Sequence, residues 1–211
     1  MKLQRTLSKV RSRWLGKVMS PSSDRAIAHW LRQGRPSPPP AAVKVRNILT
    51  LADLFSIDVL VETGTYQGDT IAATLDRFDR IYSIEIDADL ARAARARFGH
   101  LSGKVHLLEG DSATLLPKII GELSGPTMFW LDGHYSGEGT GRGATDTPIL
   151  AEVEAIADLR QGRGDLVIVD DARLFGRAPA YPRLEDFTAL LRSRLGADVR
   201  VADDSIFVLP R

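Results

Sequence analysis

The chain has 211 residues, 44% of them hydrophobic and 26% charged, and no cysteine. That length suits one α/β domain with room for an appendage, and the apolar fraction excludes a disordered or fibrous chain. The missing cysteines exclude a disulfide scaffold, a thiolate zinc site, an iron–sulfur cluster and a cysteine nucleophile. The net charge of +1 hides an asymmetry: residues 1–47 carry eleven Lys or Arg and one acid, Asp24, a net +10, and the remainder is −9. This reads as a basic arm on an acidic globule. No uncharged stretch reaches the ~20 residues of a membrane span. Lys9, Arg11, Arg13 and Lys17 interrupt any apolar leader, so the expectation is a cytoplasmic protein.

In chain order, Leu3, Leu7, Val10, Trp14 and Val18 lie on one stripe of a helix over residues 1–20, with basic residues on its other faces. The stripe fits packing on the domain or on a second subunit, which makes a homo-oligomer one expectation. Attachment to an anionic membrane surface is the alternative; nucleic-acid binding is disfavoured because no other basic patch follows. A second helix is expected over Asp24–Gln33, capped by Ser22 or Ser23 and ended by Gly34. Residues 35–40, Arg-Pro-Ser-Pro-Pro-Pro, form a stiff linker. They divide a basic helical arm, 1–40, from a domain over 41–211.

Five short apolar runs follow: Val59–Glu62, Ile81–Ile86, Val105–Leu108, Thr127–Leu131 and Leu166–Val169. They read as strands covered on both faces. Between and after them lie helical stretches over Asp69–Phe78, Ala88–Phe98, Ser112–Leu123, Thr147–Leu159 and Leu184–Leu195. Successive strand–helix units imply a parallel sheet with helices on both sides. Asp198–Ala202 and Ser205–Leu209 flank Asp203-Asp204 with no room for a crossover, so they should form an antiparallel hairpin. The expected fold is a Rossmann-like, doubly wound, mostly parallel seven-stranded sheet closed by that hairpin.

Open α/β sheets bind ligands outside the carboxyl ends of their strands. The first strand runs into Glu62-Thr63-Gly64-Thr65-Tyr66-Gln67-Gly68-Asp69-Thr70, where Gly64 permits a tight turn and Gly68 a close approach of backbone or ligand. A dinucleotide loop would need glycine at 66 and 69; Tyr66 and Asp69 crowd and repel a pyrophosphate. Glu62 favours a cationic ligand. Glu85 ends the second strand 21 residues after Gly64, near the ~20-residue offset of a ribose-binding acid. The site therefore calls for an adenosine-like ligand with a ribose diol and an adjacent positive charge. S-adenosylmethionine meets this description and NAD does not, which disfavours a nucleotide-dependent oxidoreductase.

Glu62-x-Gly64-x-x-x-Gly68, Glu85, Gly110-Asp111-Ser112 after the third strand and Asp132 after the fourth resemble the motif series of class I S-adenosylmethionine-dependent methyltransferases, over roughly residues 45–211. The resemblance implies that Glu62 and the Gly64–Gly68 loop hold the methionine portion, with Thr65, Tyr66, Gln67 and Thr70 lining it. It implies that Glu85 binds the ribose, with Ile86 beside it, and that Asp111 and Ser112 flank the adenine. Asp132 adjoins the cofactor and is a catalytic candidate.

Asp132, Asp170 and Asp171 should project from neighbouring strand ends into one crevice. In the catechol-type branch, residues at these ends hold a divalent metal, so Mg²⁺ is a candidate cofactor, although Asp171 stands where that branch tends to have asparagine. The alternative is that Asp170 and Asp171 cap loops or pair with Arg173. His134 is the candidate base, beside a glycine-rich loop over 137–143 that suits a lid. The expected activity is methyl transfer to the oxygen, or nitrogen, of a small-molecule or sugar-type acceptor, with no nucleic-acid substrate. A methyltransferase-like module that binds without turnover is the non-enzymatic alternative.

Overall fold

The computed structural model describes residues 20–133, 147–196 and 198–210. The expected helix over 1–20 falls almost wholly outside them, and so do His134, the glycine-rich loop and Ala197. Helix α1, Pro21–Arg32, starts earlier than its sequence pattern suggests, because Ser20 rather than Ser22 or Ser23 caps it, its Oγ accepting from Ser23 N at 3.2 Å. Pro21 occupies the first turn, where its missing N–H costs nothing.

Helix α2, Ala41–Phe55, was not among the expected elements. Val43, Ile48, Leu49 and Ala52 form its buried stripe, and Ile27 and Trp30 of α1 pack on Val43. Trp30 Nε1 donates to Pro36 O at 2.7 Å, and Arg35 pairs with Asp203, so the segment before residue 41 contacts the remainder at both a helix and its proline-rich turn.

The remaining elements alternate: β1 Val59–Thr63, α3 Asp69–Thr74, β2 Arg80–Glu85, α4 Ala88–Phe98, β3 Val105–Glu109, α5 Ser112–Glu122, β4 Met128–Leu131, α6 Ile149–Leu159, β5 Leu166–Val169, α7 Leu184–Leu195, β6 Asp198–Ala202 and β7 Ser205–Leu209. They make a seven-stranded sheet in the order β3-β2-β1-β4-β5-β7-β6. Strands β1 to β5 pair in parallel, and β7 runs antiparallel to both β5 and β6. This is the expected Rossmann-like architecture.

Helix α3 stops at Thr74, four residues short of expectation, because the chain must turn there to enter β2. Arg77 closes that turn on Asp53 and Asp58, leaving Phe78 fully buried. Helix α6 begins at Ile149 after Pro148, with Thr147 Oγ1 accepting from Ile149 N at 3.4 Å.

One face of the sheet buries Val61, Phe129 and Val167 against α5, α6 and α7; the other buries Leu60, Met128 and Ile168 against α2, α3 and α4. Each such side chain contributes about 1.5–3 kcal/mol of burial. The register aligns Thr63 with Leu131 and Leu131 with Val169. The residues that follow these strands therefore emerge at one edge, around one crevice. No helix among the described residues is long and apolar enough to cross a membrane.

Candidate active site

The turn after β1 is dictated by a close approach. Gly64 has φ +84°, and a Cβ there would lie 2.7 Å from the backbone oxygen of Asp132. Only glycine lets the ends of β1 and β4 meet in this way. Gly68, at φ +75°, abuts the ring of Phe98, so its missing side chain admits an aromatic from α4 rather than a ligand. Gln67 and Asp69 face outward, where Arg97 binds the Gln67 carbonyl and the Asp69 carboxylate. Tyr66 is exposed.

The interior of the loop is a network of hydroxyls and carboxylates. Ser83 Oγ donates to Glu62 Oε2 at 2.6 Å and lies 2.6 Å from Thr65 Oγ1. Thr70 adds a second hydroxyl to Glu62. Glu62 is 1% exposed, and burial, with Asp132 and Glu85 nearby, pushes its carboxyl up to about 8. Glu85 receives Tyr66 N on Oε2 at 2.8 Å and Asp87 N on Oε1 at 2.9 Å. These two backbone donors fix the carboxylate and leave each oxygen a further lone pair. Ile86, half-buried, follows it.

After β3, Gly110 turns the chain at φ +144° and Asp111 caps α5, its Oδ1 accepting from Ala113 N at 2.9 Å. Ser112 is buried beside Asp111. Its hydroxyl bonds Glu152, an acid of α6 that is 1% exposed. Burial pushes the Glu152 carboxyl up to about 7, with Asp111 and Asp132 adding to the effect. Sequence reasoning passed over Glu152, which reads as an ordinary first-turn acid.

Asp132, Asp170 and Asp171 do converge: one oxygen from each lies within 4.8 Å of the others. Lys44 of α2, also missed, reaches the same point. Its ammonium pairs with Asp170 Oδ2 and lies 3.4 Å from Asp171 Oδ1. Arg173 Nη1 is 2.5 Å from the same Asp171 oxygen and also pairs with Asp204. The Asp171–Arg173 pairing, the alternative to a metal site, is thus present, and Asp171 itself turns the chain at φ +56°. Burial and Asp132 still push Asp170 up to about 7, against the pull of Lys44. The spacing is that of a divalent-cation cluster, but two of its three carboxylates already hold a side-chain cation. A metal would have to displace Lys44.

Tyr181, Thr147, Ile149 and Glu152 wall the cavity above Asp132 and Asp170. The crevice therefore has a carboxylate-rich end along β1, β2 and β3 and an ion-paired end at β4 and β5. Gly64, Thr65, Glu62, Glu85, Ser112 and Asp132 are brought together as expected, whereas Gln67 lies at the rim.

No family model matches the chain. The ribosomal RNA small subunit methyltransferase A of Rhodococcus erythropolis is 32% identical over 80 residues, 36% of this chain and 27% of that protein. Its counterpart in Corynebacterium diphtheriae matches to the same extent. The chain thus spans about a quarter of the length of these relatives. Solved structures align over nearly its whole length. The Bacillus cereus O-methyltransferase in complex with S-adenosylhomocysteine superposes with a TM-score of 0.61 at 15% identity, over 98% of this chain and 97% of that one. The O-methyltransferase TomG of Streptomyces achromogenes, in complex with S-adenosylmethionine, gives 0.59 at 18% identity over 100% of both. The chain has the Rossmann-like fold of class I S-adenosylmethionine-dependent methyltransferases.

Proposed function

We propose that the protein is an S-adenosylmethionine-dependent methyltransferase acting on a hydroxyl of a small-molecule or sugar-type acceptor. The observation that carries this reading is Glu85, a carboxylate at the end of β2 held by the N–H groups of Tyr66 and Asp87. That geometry suits a ribose diol, and the carboxylates around it suit a cationic ligand rather than a pyrophosphate.

Glu62 and the Gly64–Gly68 loop hold the methionine portion, and Asp111, Ser112 and Ile86 enclose the adenine. Bound there, S-adenosylmethionine supplies a methyl group on a sulfonium. Asp132 accepts a hydrogen bond from the acceptor hydroxyl and orients its oxygen for in-line attack, which is most of what this reaction asks of a protein. His134, which follows Asp132 in sequence, is the base that takes the hydroxyl proton. Tyr181 and Thr147 exclude water above Asp132.

In a second form of this reading, favoured by the 4.8 Å grouping of Asp132, Asp170 and Asp171, these three carboxylates would hold Mg²⁺ in place of Lys44, and the ion would supply a Lewis acid that lowers the acceptor's pKa. The segment shared with the ribosomal RNA enzymes favours RNA as a rival acceptor. Isothermal titration with S-adenosylhomocysteine and NAD, followed by methyl-transfer assays on sugars, phenols and small ribosomal subunits, tests the proposal. Binding of S-adenosylhomocysteine but not NAD, with turnover on a small hydroxyl compound, is expected. Binding of NAD alone would overturn the cofactor, and turnover on ribosomal subunits alone would overturn the acceptor.

A further inference from the structure

Glu152 stands apart from the other carboxylates of the crevice. The hydroxyls of Ser112 and Thr63 bond its side chain, yet Oε1 has no hydrogen-bond partner among the described residues. No Lys, Arg or His among those residues forms an ion pair with it. A buried carboxylate oxygen without a donor is costly and rare unless a ligand completes it. Oε1 faces the end of β4: a Cβ on Gly133 would lie 3.5 Å from it, and Glu152 lines the cavity shared by Asp132, Asp170 and Tyr181. Lys44 and Arg173 are engaged at Asp170, Asp171 and Asp204.

We propose that Glu152 is the charge-reading residue of the cofactor site: its free Oε1 faces the sulfonium of S-adenosylmethionine and sets the preference for that cation over the uncharged thioether product. The inference rests on the methyltransferase reading and adds to it a residue and a selectivity. Two positive groups of the cofactor could meet a carboxylate. The ammonium belongs with the methionine portion, on the loop where Glu62 lies. The reacting sulfur must sit where the acceptor can reach its methyl, beside Asp132, and Glu152 lines the same cavity as Asp132. Methyl transfer removes the sulfonium charge and with it the attraction to Glu152, so the site loosens its hold on the product. The free acceptor atom and the departing charge match.

Isothermal titration of the full chain with three ligands isolates this role. S-adenosylmethionine carries the sulfonium, S-adenosylhomocysteine has a neutral sulfur, and sinefungin places a protonated amine at the same point. Glu152→Gln keeps the shape and an acceptor oxygen for the two hydroxyls but removes the charge. It should weaken both cationic ligands about tenfold or more, as expected for a unit charge a few ångströms away inside a protein, and leave S-adenosylhomocysteine within about twofold. Glu152→Asp, which keeps the charge, should retain the preference for the cations and is the second reading of the same effect. Equal weakening of all three ligands by Glu152→Gln, or no weakening, overturns the inference while the cofactor site stands. A wild-type chain that binds none of the three overturns the methyltransferase reading and this inference with it.

Discussion

The two ends of the crevice handle buried acid in opposite ways. Glu62 of β1 and Glu152 of α6, the latter bonded to Thr63 and Ser112 and reaching the cavity at β4, are each 1% exposed and hold only hydroxyl partners among the described residues. At β4 and β5, Asp170 and Asp171 are equally sequestered, but Lys44 and Arg173 are drawn onto them. One end is built to wait for a positive charge; the other brings its own. On the proposed reading, a cationic cofactor completes the carboxylates that hold only hydroxyls, and the ion-paired aspartates need no further charge.

The sharpest way to break this arrangement is at the turn that joins the two ends. Gly64→Val places a branched side chain where a Cβ already meets the Asp132 carbonyl at 2.7 Å. It should abolish S-adenosylhomocysteine binding in titration calorimetry and lower stability by about 3 kcal/mol or more in urea unfolding. Normal binding by a folded Gly64→Val would show that the β1 turn does not shape the site.

Lys44→Met probes the self-compensated end. Left without their ammonium, Asp170 and Asp171 should cost the fold about 1–3 kcal/mol, measured by the same unfolding. If Lys44 is the resident cation, wild-type turnover ignores a chelator and tight Mn²⁺ binding arises only in Lys44→Met. Wild-type activity that stops with chelator and returns with Mg²⁺ would show that a metal takes the place of Lys44.

A smaller effect appears in how stability depends on pH. The Glu62 carboxyl is held at about 8 in the folded protein against 4.5 ordinarily. Between those values the unfolded chain has released the proton and the folded one has kept it. The folded state therefore binds more protons, and the cofactor-free protein should lose stability as pH rises through this window. Glu152 and Asp170, both raised to about 7, act with the same sign. Melting temperatures from pH 5 to 8 should fall less steeply in Glu62→Gln than in wild type; superimposable slopes would place Glu62 among ordinary carboxylates.

Most of the sheet was legible because parallel strands covered on both faces are written as short apolar runs. The terminal hairpin was legible because two charged residues leave no length for a crossover. Helix α4, α7, β5, β6 and β7 fall where periodicity puts them. The clustering of Glu62, Gly64, Glu85 and Asp132 at the strand ends was legible too, since glycines and acids there have few other uses. What escaped the sequence was long-range. Helix α2 shows its stripe only when Val43, Ile48, Leu49 and Ala52 are read together, and it adjoins a proline-rich stretch that reads as linker. Nothing near Lys44 announces an ion pair with Asp170, 126 residues away. Glu152 reads as a solvated helix acid because burial is a property of the packed α5–α6 pair, not of its neighbours in the chain.

An adenosine site built on Glu85 is tested most directly by titrating S-adenosylhomocysteine into wild type and Glu85→Ala. Losing hydrogen bonds to a charged group costs about 1.5–3 kcal/mol, so the variant should bind about ten- to a hundredfold more weakly with its fold intact. Equal affinity of the two proteins would contradict the account.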